Sequence, residues 1–141
     1  MFQNPTTDEI CTLLGEVKTI AVVGLSENPA RPSWRVASGM QGFGYRIIPV
    51  RPGASEVLGE KAYATLADVP KHIDIDIVDV FRAPQHVDAI VDECLHLGLK
   101  RLWFQVGVVN EAAAQRARAG GMTVVMDRCL WRDRSTLCEQ S

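Results

Sequence analysis

What the sequence lacks narrows its function first. It has no surplus of positive charge: fifteen Lys and Arg stand against seventeen Asp and Glu, a net charge of −2. General nucleic-acid binders carry a positive footprint, so no nucleic-acid partner is expected, and an anionic ligand must be met by a few placed groups. No apolar run approaches the roughly 20 residues that cross a bilayer, and no basic apolar leader precedes Asp8 and Glu9. A membrane role is therefore not expected, and the cytoplasm is the expected location. The four cysteines, Cys11, Cys94, Cys129 and Cys138, are far apart and include no C-x-x-C pair, which excludes the zinc and thioredoxin-type patterns. Cys11 and Cys94 fall on apolar stripes and read as small core residues.

The motifs of catalysis are missing too. There is no Gly-x-Ser-x-Gly elbow and no Lys-containing phosphate loop. His72 lies in a loop and His86 and His96 in a helix, positions where a solvent-facing histidine is the commoner case. Asp74 and Asp76 share one face at the entry of a strand and read as solvated rather than as an acid–base pair. No catalytic residue and no metal ligand is assigned.

What is present is a chain of 141 residues with 47% apolar and 23% charged content, the composition of one ordinary folded domain. Its organising stretch runs from Thr19 to Trp34. Thr19 to Val23 is a nearly continuous, β-branched apolar run that reads as a strand buried on both faces of a parallel sheet. Gly24 ends the run, Leu25 to Pro29 make a turn-rich loop, and Val36, Ala37 and Met40 then recur at helical spacing. Strand, polar loop and helix form the layout of a phosphate site. There the helix N-terminus offers free N–H groups and a positive dipole end, and Asn28, Arg31 and Ser33 add side-chain donors. An ordinary strand-to-helix turn with Ser33 as N-cap has the same pattern.

The rest of the chain alternates in the same way. Thr6 and Glu9 have the spacing of a capping box ahead of Ile10, Leu13, Leu14 and Val17, so residues 1–17 carry a flanking helix. Strands are expected at Tyr45–Val50, Ile73–Phe81, Arg101–Val106 and Met122–Met126, and helices after Ser33, Pro84 and Asn110. This predicts a single α/β domain over residues 1–141, a doubly wound, mainly parallel five-stranded sheet with helices on both faces. Its ligand end is built from the residues just after each strand: Leu25 to Ser33, Val50 to Pro52, Phe81 and Arg82, Gln105 to Val108, and Asp127 to Cys129.

A nicotinamide site has Gly-x-Gly-x-x-Gly after the first strand and an acidic residue after the second. Here the loop is Gly24-Leu25-Ser26-Glu27-Asn28-Pro29, and the second strand ends in Pro49-Val50-Arg51-Pro52. Neither half of the fingerprint is present. Arg51 is placed to hold a phosphate on a ribose, which suits NADP and coenzyme A alike, or to be a solvated turn residue.

Val22-Val23-Gly24-Leu25-Ser26, Asn28-Pro29, Arg31-Pro32-Ser33, Ile48-Pro49-Val50, Asp79-Val80-Phe81-Arg82, Trp103-Phe104-Gln105-Val106-Gly107 and Val125-Met126-Asp127-Arg128-Cys129 follow one another along the chain. With these segments it resembles the small stand-alone coenzyme A-binding proteins, whose Rossmann-like domain is shared with the N-terminal part of the succinyl-CoA ligase α subunit. The resemblance implies that Gly24, Leu25, Ser26, Asn28, Arg31 and Ser33 form the diphosphate loop. It also implies that Pro49, Val50 and Arg51 meet the adenosine end, and that Phe81, Arg82, Gln105, Val106 and Gly107 border the rest of the cofactor. The family has Asn where this chain has Arg51, so the role of Arg51 rests on its charge. The tail, residues 130–141, also departs from the family ending and is expected to be loosely ordered. The implied function is non-catalytic binding of coenzyme A or an acyl-CoA, against the alternative of an NADP-dependent oxidoreductase or its cofactor-binding subunit. No protein partner is implied. Cys129 follows the last strand on the ligand side, where it either meets the cofactor thiol or is a buried structural cysteine.

Overall fold

In a computed structural model that describes residues 2–138, the alternation becomes α1 (Thr7–Glu16), β1 (Thr19–Val23), α2 (Pro32–Gly42), β2 (Arg46–Val50), β3 (Glu56–Val57), β4 (Glu60–Lys61), β5 (Ile77–Val80), α3 (Val87–His96), β6 (Arg101–Phe104), α4 (Glu111–Ala119), β7 (Thr123–Met126) and α5 (Leu130–Thr136). Five strands pair in parallel in the order β2-β1-β5-β6-β7, while β3 and β4 make a separate two-residue hairpin.

Side chains of a strand alternate between faces, and each face has its own helix layer. Ile20 and Val22 share one core with Ile47, Ile77, Trp103 and Val125 beneath α1, α2 and α5. Ala21 and Val23 share the other with Ile48, Val78, Leu102, Phe104 and Val124 beneath α3 and α4. Each fully buried aliphatic side chain contributes about 1.5–3 kcal/mol. The capping box on α1 forms: Glu9 N–H donates to Thr6 Oγ1 at 3.2 Å and Thr6 N–H donates to Glu9 Oε1 at 2.8 Å. No helix is long and apolar enough to cross a membrane among the described residues.

Several expectations change. The strand expected over 73–81 is confined to Ile77–Val80; just before it Asp76 N–H donates to Thr19 O at 3.0 Å, and the Asp76 carboxylate accepts the N–H groups of Lys18 and Thr19 at 2.9 and 3.0 Å. Asp76 is thus an anchor at the entry of β1 rather than a solvated acid. The strand expected over 101–106 stops at Phe104. The segment from 130 on is no loose tail up to residue 138, since α5 packs through the almost fully buried Leu130 and Asp133. Trp131 lies so close to Gly39 of α2 that a Cβ there would stand 2.3 Å from the indole. Arg128 donates to Asp133 at 2.6 Å, and the Arg134 guanidinium sits 4.4 Å from the Phe43 ring centre. Residues 139–141 of that tail lie outside the described residues. Cys11 is not a plain core residue either: it is disulfide-bonded to Cys138, 127 residues away, with the Cα atoms 5.3 Å apart. Cys94 is buried as expected, and burial, with the Glu93 charge beside it, pushes its thiol up to about 12.

Both outer strands of the sheet are engaged at their carboxyl ends. Beside β2, Tyr63 N–H donates to Pro49 O at 3.0 Å and Arg51 N–H donates to Tyr63 O at 2.7 Å. Beside β7, the Asn4 side chain copies a strand, donating to Met126 O at 2.9 Å and accepting from Met126 N–H at 2.8 Å.

The centre of the sheet carries one polar exception. Asp79 of β5 stands between Val22 and Trp103, fully buried, and neither carboxyl oxygen has a hydrogen-bond partner among the described residues. Burial raises its pKa well above the ordinary carboxylate range, so the folded chain holds a proton that the unfolded chain releases. Stability is therefore expected to fall as pH rises from the unfolded pKa toward the folded one, by up to about 1.4 kcal/mol per pH unit. Urea unfolding of wild type and Asp79→Asn between pH 5 and pH 8 checks this: the variant should gain on the wild type as pH rises. A pH-independent difference would contradict it.

Candidate functional site

The winding of the sheet reverses at β1, from which the chain goes first to β2 on one side and then to β5 on the other. In sheets of this kind ligands bind beyond the carboxyl ends of the strands at that reversal. A cleft of about 430 Å³ opens there, lined by Gly24, Ser26, Arg31, Pro32, Ser33, Arg51, Pro52, Phe81 and Arg82.

Gly24 joins the three strand ends that frame it. Its N–H donates to Val50 O at 2.9 Å, and Phe81 N–H donates to Val23 O at 2.9 Å. The backbone at Gly24 has φ +87°, and a Cβ would stand 2.5 Å from Phe81 O, so only glycine fits without displacing backbone. Beyond it the loop is held by its own side chains. Ser26 N–H donates to Ser33 Oγ at 3.0 Å, Asn28 N–H donates to Ser26 Oγ at 3.0 Å, and Ala30 N–H donates to Asn28 Oδ1 at 2.9 Å. Ser33 is thus a brace for the loop and not the N-cap of α2. That position is taken by Arg31, which makes no side-chain cap, with Pro32 following it. α1 and α4 are capped by Thr6 and Asn110, whereas the N-terminus of α2 faces the cleft uncapped, with no acidic residue in its first turn.

Arg31, Arg51 and Arg82 reach the cleft from three different loops. Among the described residues no carboxylate lies within ion-pair distance of any of them. In a chain of net charge −2 this concentrates positive charge where a helix dipole adds to it. Among the described residues no His, Cys, Lys, Asp or Glu lines the cleft, and His72, His86 and His96 are all exposed elsewhere.

The cleft therefore brings together seven of the expected residues: Gly24, Ser26, Arg31, Ser33, Arg51, Phe81 and Arg82. The other seven lie outside its lining. Leu25 is fully buried in the core, Asn28 is exposed and engaged with the loop, and Pro49 and Val50 are buried in β2. Gln105 is turned inward, accepting Leu130 N–H at 3.1 Å, and Gly107 N–H donates to Asp127 Oδ1 at 2.8 Å. Val106, 67% exposed, borders a second cleft of about 280 Å³ beyond β6 and β7, with Asp127, Arg128, Cys129 and Arg132. Cys129 is half-buried there, its sulfur accepting Arg132 N–H at 3.4 Å. Pro32 and Pro52 also line the cleft; both fall within the segments expected at the ligand end but are not among the expected binding residues.

A family model described as CoA binding domain matches residues 18–134. The chain belongs to this CoA-binding domain family. Among its relatives is the uncharacterized protein YneT of Bacillus subtilis, 45% identical over 130 residues, which are 91% of this chain and 93% of that protein. A solved structure of a hypothetical protein from Pyrococcus horikoshii superposes with a TM-score of 0.89 at 32% identity, covering 97% of each chain. The ADP-forming acetate–CoA ligase II of Archaeoglobus fulgidus is 31% identical over 85 residues, 59% of this chain but only 12% of the ligase. The CoA-binding family domain thus occurs in stand-alone form and is similar to a small part of a much larger ligase.

Gly24→Ala is expected to strain the left-handed backbone and push the β1 and β5 ends apart, costing about 1–3 kcal/mol. Urea unfolding measures it. A variant as stable as wild type would show that the approach to Phe81 relaxes freely.

Proposed function

We propose that this chain binds coenzyme A or an acyl-CoA without catalysing a reaction on it. The observation that carries the reading is the convergence of Arg31, Arg51 and Arg82, none of them ion-paired, with the uncapped N-terminus of α2. Coenzyme A presents two separate anionic groups, a diphosphate and a ribose 3′-phosphate. The Ser26–Ser33 loop, the α2 N-terminus and Arg31 suit the diphosphate, because free N–H groups and a guanidinium meet phosphate oxygens with charge-assisted hydrogen bonds. Arg51, beyond β2, suits the ribose phosphate, and Arg82 with Phe81 borders the path away from it. Membership of the CoA-binding family supports the ligand. Among the described residues the lining holds no His, Cys, Lys, Asp or Glu that could activate the Ser26 or Ser33 hydroxyl, which supports a binding role, and the ligase relative matches too little of its length for its reaction to be carried over. The reading includes a cytoplasmic location.

Calorimetry with coenzyme A, dephospho-coenzyme A, acetyl-CoA and NADPH tests it. Coenzyme A and acetyl-CoA should bind, and loss of the 3′-phosphate should weaken binding in wild type but hardly in Arg51→Ala. Arg31→Ala should cost about 1–3 kcal/mol with every CoA species. Binding of NADPH alone would overturn the reading in favour of an oxidoreductase.

A further inference from the structure

We propose that Cys11 and Cys138 form a redox clasp, whose disulfide fastens α5 across α1 and whose reduction releases α5 and loosens the cleft. The effect on the cleft rests on the CoA-binding reading above; the clasp itself does not.

The helix it holds has little stability of its own. α5 has seven residues, fewer than an isolated helix needs in water, so its order comes from docking. Leu130 anchors its start in the core, Trp131 sits against Gly39, and Arg134 stacks on Phe43 and donates to Tyr45 Oη at 3.1 Å. Beyond Thr136 the chain is fixed to the body of the protein by the Cys138–Cys11 bond. Both cysteines are half-buried, within reach of small thiols and disulfides, whereas Cys94 is buried and held in its thiol form. Whether such a pair stands open or closed is set by its reduction potential against the thiol poise of the compartment.

α5 also touches the supports of the cleft. Trp131 presses on Gly39 of α2, the helix whose first turn lines it. Leu130 N–H donates to Gln105, and Trp103 Nε1 donates to Arg128 O at 2.7 Å, tying the start of α5 and the residues before it to β6 and the loop that follows. Nearer the clasped end, Arg134 stacks on Phe43 at the C-cap of α2, so releasing that end of α5 loosens a contact that positions α2.

The chemistry is two-electron exchange with a low-molecular-weight disulfide. One cysteine thiolate attacks it, forming a mixed disulfide and expelling one small thiol; the second cysteine then attacks the mixed disulfide and expels the other. The two cysteines lose two electrons and two protons in all, and the reagent gains them as two thiols. Excess small thiol reverses both steps.

The full chain is equilibrated with oxidised or reduced glutathione. Peptide mapping is expected to find Cys11 joined to Cys138 in the first and free in the second. Amide hydrogen exchange over residues 130–136 should be about 30-fold or more faster in the reduced protein. Cys11→Ser and Cys138→Ser, each held in oxidised glutathione, should match it, and wild-type reduction gives the same comparison should either variant fold poorly. Acetyl-CoA, which has no free thiol to disturb the clasp, should bind the reduced form several-fold more weakly. Equal exchange in the two forms overturns the clasp, and equal acetyl-CoA affinity overturns its link to the cleft. Redox-dependent exchange with no acetyl-CoA binding by either form leaves the clasp standing and removes the CoA-binding reading instead.

Discussion

The arrangement depends on one close approach, where the backbone leaving β1 at Gly24 passes the carbonyl of Phe81 with no room for a side chain. Two hydrogen bonds fix that approach, Gly24 N–H to Val50 O and Phe81 N–H to Val23 O, so the ends of β2, β1 and β5 form one unit. Everything lining the cleft is carried by the three segments leaving this unit: the loop to α2, the turn at Arg51–Pro52, and Phe81–Arg82. The arginines come from three places in sequence, and the shared backbone joint makes them neighbours.

The two helix layers have different relations to this joint. α3 and α4 pack on a face built from Val, Leu, Phe and Ala and contribute no residue to the cleft. The opposite face, under α1, α2 and α5, carries the loop helix, the buried Asp79, the Trp131–Gly39 contact and the disulfide. Polar and covalent specialisation is thus concentrated on the layer that holds the start of α2.

Much of this was legible in the sequence, because it is local. Thr6 and Glu9 three residues apart, Gly24 after a β-branched run, Asn110 before an alanine-rich stretch, and strands separated by helical spacings each carry their signal within one turn or strand. Arg51 and Arg82 were legible because the winding rule places the residue after each strand at the ligand end. The direction of a side chain within a loop was not. Leu25 and Gln105 follow strands as Ser26 and Arg82 do, yet one fills the core and the other turns inward to hold α5. The Cys11–Cys138 bond was hidden for a related reason: its partners meet only once both ends of the chain are packed on the same face, and no spacing rule spans 127 residues. α5 itself is too short for periodicity to register, and its order comes from Gly39 and Phe43, far away in sequence.

The edges of the sheet set how this protein can meet others. A bare outer strand is a template on which a second chain can align and extend the ladder. Here Tyr63 occupies the hydrogen-bonding groups beside β2, and a single asparagine side chain, Asn4, does so beside β7. Each outer strand is thus engaged at its carboxyl end, where a further strand would have to displace Tyr63 or Asn4. At that end of the sheet, which is also the ligand end, a protein partner or a second copy therefore meets the rim of the loops, where recognition is by side-chain shape and charge rather than by backbone.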